Sequence, residues 1–248
     1  MKFRKVIILL VLMSVCISSV QAEDNCLGKL QETYSKLAME SAYGDDGTCL
    51  YMNYTLAVVS REPRKVANRS AKAEIYTNSF FTHVSTDGLQ MLQDGKDIVV
   101  IQPQTKTLFI SSAPPKEMQK ALFDDFLLMR DSLFGRLDMV SCAVESGANG
   151  RRVRVIHCRI KPAFQALCAY RTLSFTVDAA DWSLVGVKVG YPPGVPVESV
   201  SVVFNTIERR KVPAECVGSV VQKVLLPSGE PTKNYKGYTL LDERKKKQ

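Results

Sequence analysis

The sequence has little of what most enzymes and metal proteins need. It holds only two histidines, His83 and His157, far apart and each alone in a strand-like stretch. Neither has a carboxylate or cysteine at metal-ligand spacing, so a zinc centre is not expected and each histidine reads as structural. There is no Cys-x-x-Cys, so neither a thioredoxin-like redox site nor a structural zinc site is expected. No Gly-x-Ser-x-Gly elbow, phosphate-binding glycine loop or His-Glu-x-x-His helix occurs. Asp45-Asp46 and Asp124-Asp125 are paired carboxylates. The first pair sits in a glycine-flanked loop and the second in an apolar helical stretch. Both read as solvated, because acid–base pairs must converge in one pocket from set positions. No nucleic-acid recognition motif is present. Beyond residue 22 no run is long and apolar enough to span a bilayer. The expectation is a non-enzyme with no cofactor, no metal and no nucleic-acid partner.

What is present begins at the amino terminus. Lys2, Arg4 and Lys5 precede the apolar run Val6 to Val15, and Val20-Gln21-Ala22 supplies small residues before Glu23. That is the layout of a secretory signal peptide over residues 1–22, cleaved after Ala22. A lipidated Cys16 is the weaker reading, because the bulky Val15 stands just before it. The mature chain is expected to be exported and soluble. Three of the 33 basic residues lie before Glu23, where there is no acid, so the net charge falls from +8 to +5. The excess gathers in Arg209 to Lys211 and in Arg244 to Lys247, the latter read as a solvated basic tail over 243–248. A hydrophobic content of 46% fits one globular domain, placed at residues 23–242.

Six cysteines follow Ala22, and six allow 15 pairings. Cys142 and Cys158 flank the turn signal Asn149-Gly150, and a loop centred on Gly150 would set them opposite each other. They are the disulfide candidate. Asn53-Tyr-Thr55 and Asn68-Arg-Ser70 match the glycosylation pattern, which matters only in a eukaryotic secretory route.

Asp24 to Ala42 predicts a helix, with Leu27, Leu30, Tyr34 and Leu37 at helical spacing. Leu50 to Ser60 predicts a strand whose Leu50, Met52, Tyr54, Leu56 and Val58 share one face. From Ala73 to Ser112, Asp87-Gly88, Asp94-Gly95 and the break at Gln102 to Lys106 separate short apolar runs, predicting a meander of hairpins. Ile98 to Ile101 is apolar on both faces. Pro114 to Leu137 predicts a helix with Met118, Leu122, Phe126, Leu133 and Leu137 on one side and Phe123, Leu127 and Phe134 widening the arc. Strands are expected again at Val140–Val144, Val153–Ile160, Arg171–Asp178, Leu184–Tyr191, Ser199–Asn205 and Val217–Leu226. Tyr235 to Arg244 closes an α+β chain of about ten or eleven strands dominated by antiparallel sheet.

The segment Leu92 to Pro103 resembles LolA-type periplasmic lipoprotein carriers: a strand ending in Asp-Gly-Lys, a short apolar strand, then a Pro-bearing turn. Cys26 to Leu37 is similar in character to the leading helix of bacterial homologues. The chain departs from the pattern at Tyr76 to Phe80, where no Arg-Pro occurs, and at Ile98-Val-Val, where an aromatic residue is usual. It resembles a divergent, Bacteroidetes-type member. The resemblance implies a half-open antiparallel barrel with an amino-terminal helix and a helical lid. On that reading Leu56, Val58, Ile101, Leu108, Phe175 and Val187 line an apolar cavity, and Leu122, Phe126 and Leu133 cover it. A core helix packed on the sheet is the competing reading for the last three. The implied function is a monomeric carrier of lipoprotein acyl chains or other lipids. It would work between an inner-membrane donor and an outer-membrane acceptor. The alternative is an envelope interaction protein that uses the same fold without transport.

Overall fold

A computed structural model of the chain describes residues 25–42, 47–114, 133–147 and 150–244. In chain order, α1 (Cys26–Ala42) leads into β1 (Thr48–Ser60), β2 (Arg69–Thr77), β3 (Thr82–Thr86), β4 (Gln90–Gln93), β5 (Asp97–Gln102) and β6 (Thr107–Ser112). Then come β7 (Leu137–Ser146), β8 (Arg152–Ile160), β9 (Thr172–Asp178), β10 (Leu184–Gly190) and β11 (Val197–Lys211). The short helix α2 (Val220–Val224) and β12 (Thr239–Asp242) finish the fold. The 12 strands among the described residues join one sheet in the order β12-β6-β5-β4-β3-β2-β1-β11-β10-β9-β8-β7. The sheet is open, with β12 and β7 at its two ends. Its spine is the long β1–β11 ladder, and only β12 runs parallel to its neighbour.

The two faces follow from the period-2 alternation of strands. On one face, α1 lies over the carboxy-terminal half of the sheet. Cys26 and Leu30 bury against Ile156, Cys158, Leu173, Phe175 and Val177. Tyr34 meets Phe134 and Phe175 edge-on, with centroids at 5.7 and 5.8 Å. Such contacts add to burial because the ring edge of one faces the π-cloud of the other. On the opposite face, Val99 and Ile101 of β5 and Leu108 and Ile110 of β6 are sealed under Val220, Val224 and Leu225. The connection from β6, next to the β12 edge, leads to β7 at the other edge of the sheet. Its described end, Leu133 and Phe134, packs on the face that carries α1.

Several expectations change in the structure. Val217 to Leu226 is not a strand. The helix α2 occupies its middle, following a 3₁₀ turn at Ala214–Cys216. Valine favours strands, but Val220, Val221 and Val224 at helical spacing find the β5–β6 face to cover, so tertiary packing overrides propensity. Asp94 helps to fix that helix. Its Oδ2 accepts from the Val220 N–H at 3.0 Å, while Oδ1 accepts from Lys96 and Asp97 and closes the turn before β5. Burial pushes the Asp94 carboxyl up. The backbone bonds from Val220, Asp97 and Lys96 outweigh that and hold its pKa below the ordinary carboxylate value. Asp94→Ala should cost about 1–2 kcal/mol in urea unfolding, since it removes the cap of α2 and the turn contacts together. The loss from that aspartate should also appear in the parent as pH falls through the carboxylate range. Arg244, expected in a solvated tail, is instead paired with Asp242 and Asp97 at 2.8 and 3.2 Å. Leu137 belongs to β7, not to a helix.

The cysteine pairing is the largest correction. Cys142 bonds Cys26, across 116 residues of chain, and Cys158 is a buried thiol. The β7–β8 turn closes with the Gly147 N–H on the Arg151 carbonyl and pairs Ser146 with Arg152. That sets Cys142 across from Ile156, and Cys158 across from Met139 beyond an irregularity at Val140. Cys142 therefore points at α1, whose first residue is Cys26.

Candidate functional site

The expected cavity residues divide between the two faces. Leu56 pairs with Val202, Val202 with Val187, and Val187 with Phe175, so these lie in one row on the α1 face. Val58 follows Leu56 on the same side of β1. Phe175 is buried beneath α1 and Tyr34, and Val187 packs at the rim of that cluster, so this half of the sheet is filled by the protein itself. Ile101 and Leu108 face the opposite way and are sealed under α2 at 1% and 0% exposure. They line no shared surface with Leu56. Leu122 and Phe126 lie outside the described residues. Leu133 packs with the core beneath α1.

Among the described residues, the apolar surface left half-buried is the other half of the α1 face. Met52 pairs with Ile75, Ile75 with Val84, Val84 with Met91, Met91 with Val100, and Val100 with Phe109. Leu241 of β12 continues the row beside Phe109 and is 49% exposed. Seven consecutive strands thus place an apolar side chain at the same height on one face. At about 4.8 Å per strand, the row runs for about 29 Å. Met52, Ile75, Val84, Met91, Val100 and Phe109 are half-buried, whereas Val99, Ile101, Leu108 and Ile110 on the reverse of β5 and β6 are wholly buried. The row has no charge in it. It offers a surface for a long apolar ligand and no chemistry for turning one over. Sequence reading missed it because Ile98 to Ile101 is apolar on both faces, and nothing local says which face α2 will seal.

A second concavity lies on the opposite face, between β2–β4 and the segment around α2. It has a volume of about 290 Å³ and is lined by Glu74, Tyr76, His83, Leu92, Cys216 and Lys223 among others. Nδ1 of His83 lies 3.3 Å from Sγ of Cys216, and its buried Nε2 has no partner. Burial, reinforced by Lys223 and opposed by Glu215, lowers the His83 pKa to about 4. Burial raises the Cys216 thiol to about 11. Both groups are therefore neutral near pH 7, and the dyad is not activated for nucleophilic work. A histidine whose folded pKa is depressed leaves the unfolded chain binding more protons between about 6.5 and 4. Stability is full above that window and falls as pH drops through it. The expected loss is about 2–3 kcal/mol. His83→Gln should flatten this part of the pH profile, measured by urea unfolding at pH 7 and pH 4. Among the described residues, no group of three metal-ligating side chains comes together, and no helix is long and apolar enough to cross a membrane.

No family model matches the sequence, and no curated protein matches it either. Solved structures do resemble the chain. The lipoprotein LppX of Mycobacterium tuberculosis aligns with a TM-score of 0.46 and 10% identity, over 76% of this chain and 96% of that one. An uncharacterized conserved protein of Thermus thermophilus aligns with a TM-score of 0.42 and 10% identity, over 86% of this chain and 98% of that one. A LolA superfamily protein of Nitrosomonas europaea aligns with a TM-score of 0.32 and 9% identity, over 75% of this chain and 97% of that one. The chain is similar to these structures and takes no family from them. No residue of it takes a role from these proteins.

Proposed function

We propose that the protein is an exported, non-enzymatic carrier that holds an acyl chain of a lipoprotein or another lipid along the row from Met52 to Leu241. The observation that carries this reading is the register-aligned apolar row, left half-buried on a sheet whose reverse face is sealed at β5 and β6. An extended acyl chain laid across the strands would exchange water for Ile75, Val84, Met91, Val100 and Phe109. Each methylene so buried contributes about 0.8 kcal/mol before the cost of ordering the chain. The absence of charge along the row avoids the desolvation cost of a buried ion. The signal-peptide layout of residues 1–22 and the Cys26–Cys142 bridge support a periplasmic address, with transfer from an inner-membrane donor to an outer-membrane acceptor.

A fluorescent fatty acid titrated into the purified chain tests the proposal. Saturable binding that competes with an unlabelled acyl chain is expected. No binding across the soluble range of the probe would put the envelope interaction protein in its place.

A further inference from the structure

Among the described residues, four thiols remain after Cys26 and Cys142 pair: Cys49, Cys158, Cys168 and Cys216. Four cysteines allow three pairings, and the sheet separates them. Cys158 stands on β8, between Leu173 and Met139, in the cluster beneath α1. Cys168, in the connection after the Pro162–Phe164 turn, packs on that same cluster. Cys49 stands on β1, pairing with Arg210 and alternating with Leu50, so it faces away from Leu56 and α1. There it is buried in one cluster with Phe81 and Cys216. Between β1 and β8 lie β11, β10 and β9. Four strand spacings are about 19 Å, and a disulfide needs Cα atoms within about 7 Å. Cys49 therefore cannot reach Cys158, and Cys216 beside His83 on β3 is further still.

We propose that Cys49 and Cys216 form a second disulfide, which ties the Ala214–Cys216 turn ahead of α2 to the start of β1. The oxidant is a small-molecule or protein disulfide. One cysteine thiolate attacks it and releases one thiol, and the other thiolate then attacks the mixed disulfide and releases the second. Two S–H bonds are lost and one S–S bond forms, and the two protons and two electrons end on the two released thiols. Both sulfurs are buried in the folded chain, so the exchange belongs to folding, before β1 and the turn close on each other. Closure removes the Cys216 thiol from its contact with His83, which gives the bond a signature beyond mass. The inference rests on the export reading only for where the oxidant is met.

The test is refolding of the reduced full chain in a buffer of reduced and oxidised glutathione, followed by alkylation and non-reducing peptide mapping. A linked pair of peptides holding Cys49 and Cys216 is expected, together with the Cys26–Cys142 link. The NMR titration of the His83 ring should also differ between the oxidised chain and the Cys49→Ala variant, which keeps the Cys216 thiol beside Nδ1. Alkylated thiols at both positions in a chain where Cys26–Cys142 has closed would overturn the proposal. So would a link from Cys49 to any other cysteine. Neither result depends on lipid binding, so failure here is distinct from failure of the carrier reading.

Discussion

Replacing Cys26 and Cys142 together by serine is expected to lower the free energy of unfolding by about 5 kcal/mol. The bridge closes a loop of 116 residues. In the chain-entropy account, such a loop restricts the unfolded ensemble by close to that amount. The helix it fastens would still bury Leu30 and Tyr34 against Phe134 and Phe175, so α1 keeps its own reason to dock. The whole of a typical domain's stability is about 5–15 kcal/mol. The variant should therefore stand at the edge of folding at 37 °C. Urea unfolding of parent and variant, both without reductant, measures the difference. A loss below about 1 kcal/mol would mean that the α1 contacts alone hold the helix in place and that the bridge adds little.

The second large effect is on binding. Val100→Glu places a carboxylate in the middle of the apolar row, between Met91 and Phe109. With a half-buried position and water within reach, the folded sheet should tolerate it with a loss of about 1 kcal/mol. A bound acyl chain would have to lie against the charge and desolvate it, which costs several kcal/mol without a partner. Affinity for a fluorescent fatty acid should fall by at least about 100-fold, which is close to 3 kcal/mol. Ile101→Glu, one residue on but sealed under α2, should do the reverse and unfold the chain. Val100→Glu protein that binds as the parent does would remove the row from the account.

Much of the fold is legible before any coordinates. Asp94-Gly95 marks a hairpin because the Asp94 carboxylate caps its own turn, as it does in the structure. Leu173, Phe175 and Val177 alternate with polar residues, and they bury together on the face that α1 covers. The leading helix starts where Leu27 and Leu30 set the 3.6-residue period. Other features depend on tertiary contacts that no local pattern encodes. Val217 to Leu226 reads as a strand until Asp94, 126 residues away, caps it as a helix. The side of β5 and β6 that faces α2 is undetermined by Ile98 to Ile101, which is apolar throughout, and Ile101 and Leu108 fall on the face that α2 seals. The disulfide turns on where the β7–β8 hairpin closes, and a small shift of that turn exchanges Cys158 for Ile156 opposite Cys142. The apolar row emerges only when six successive registers are read together.

The most direct measurement is photo-crosslinking. A fatty acid with a diazirine on its chain, bound to the full-length protein and irradiated, will mark whatever side chains it touches. Peptide mapping should place the marks on residues of the α1 face of β2–β6, at Ile75, Val84, Met91, Val100 or Phe109. Marks confined to the opposite face, around His83 and Lys223, or no saturable labelling of the folded chain, would contradict the account.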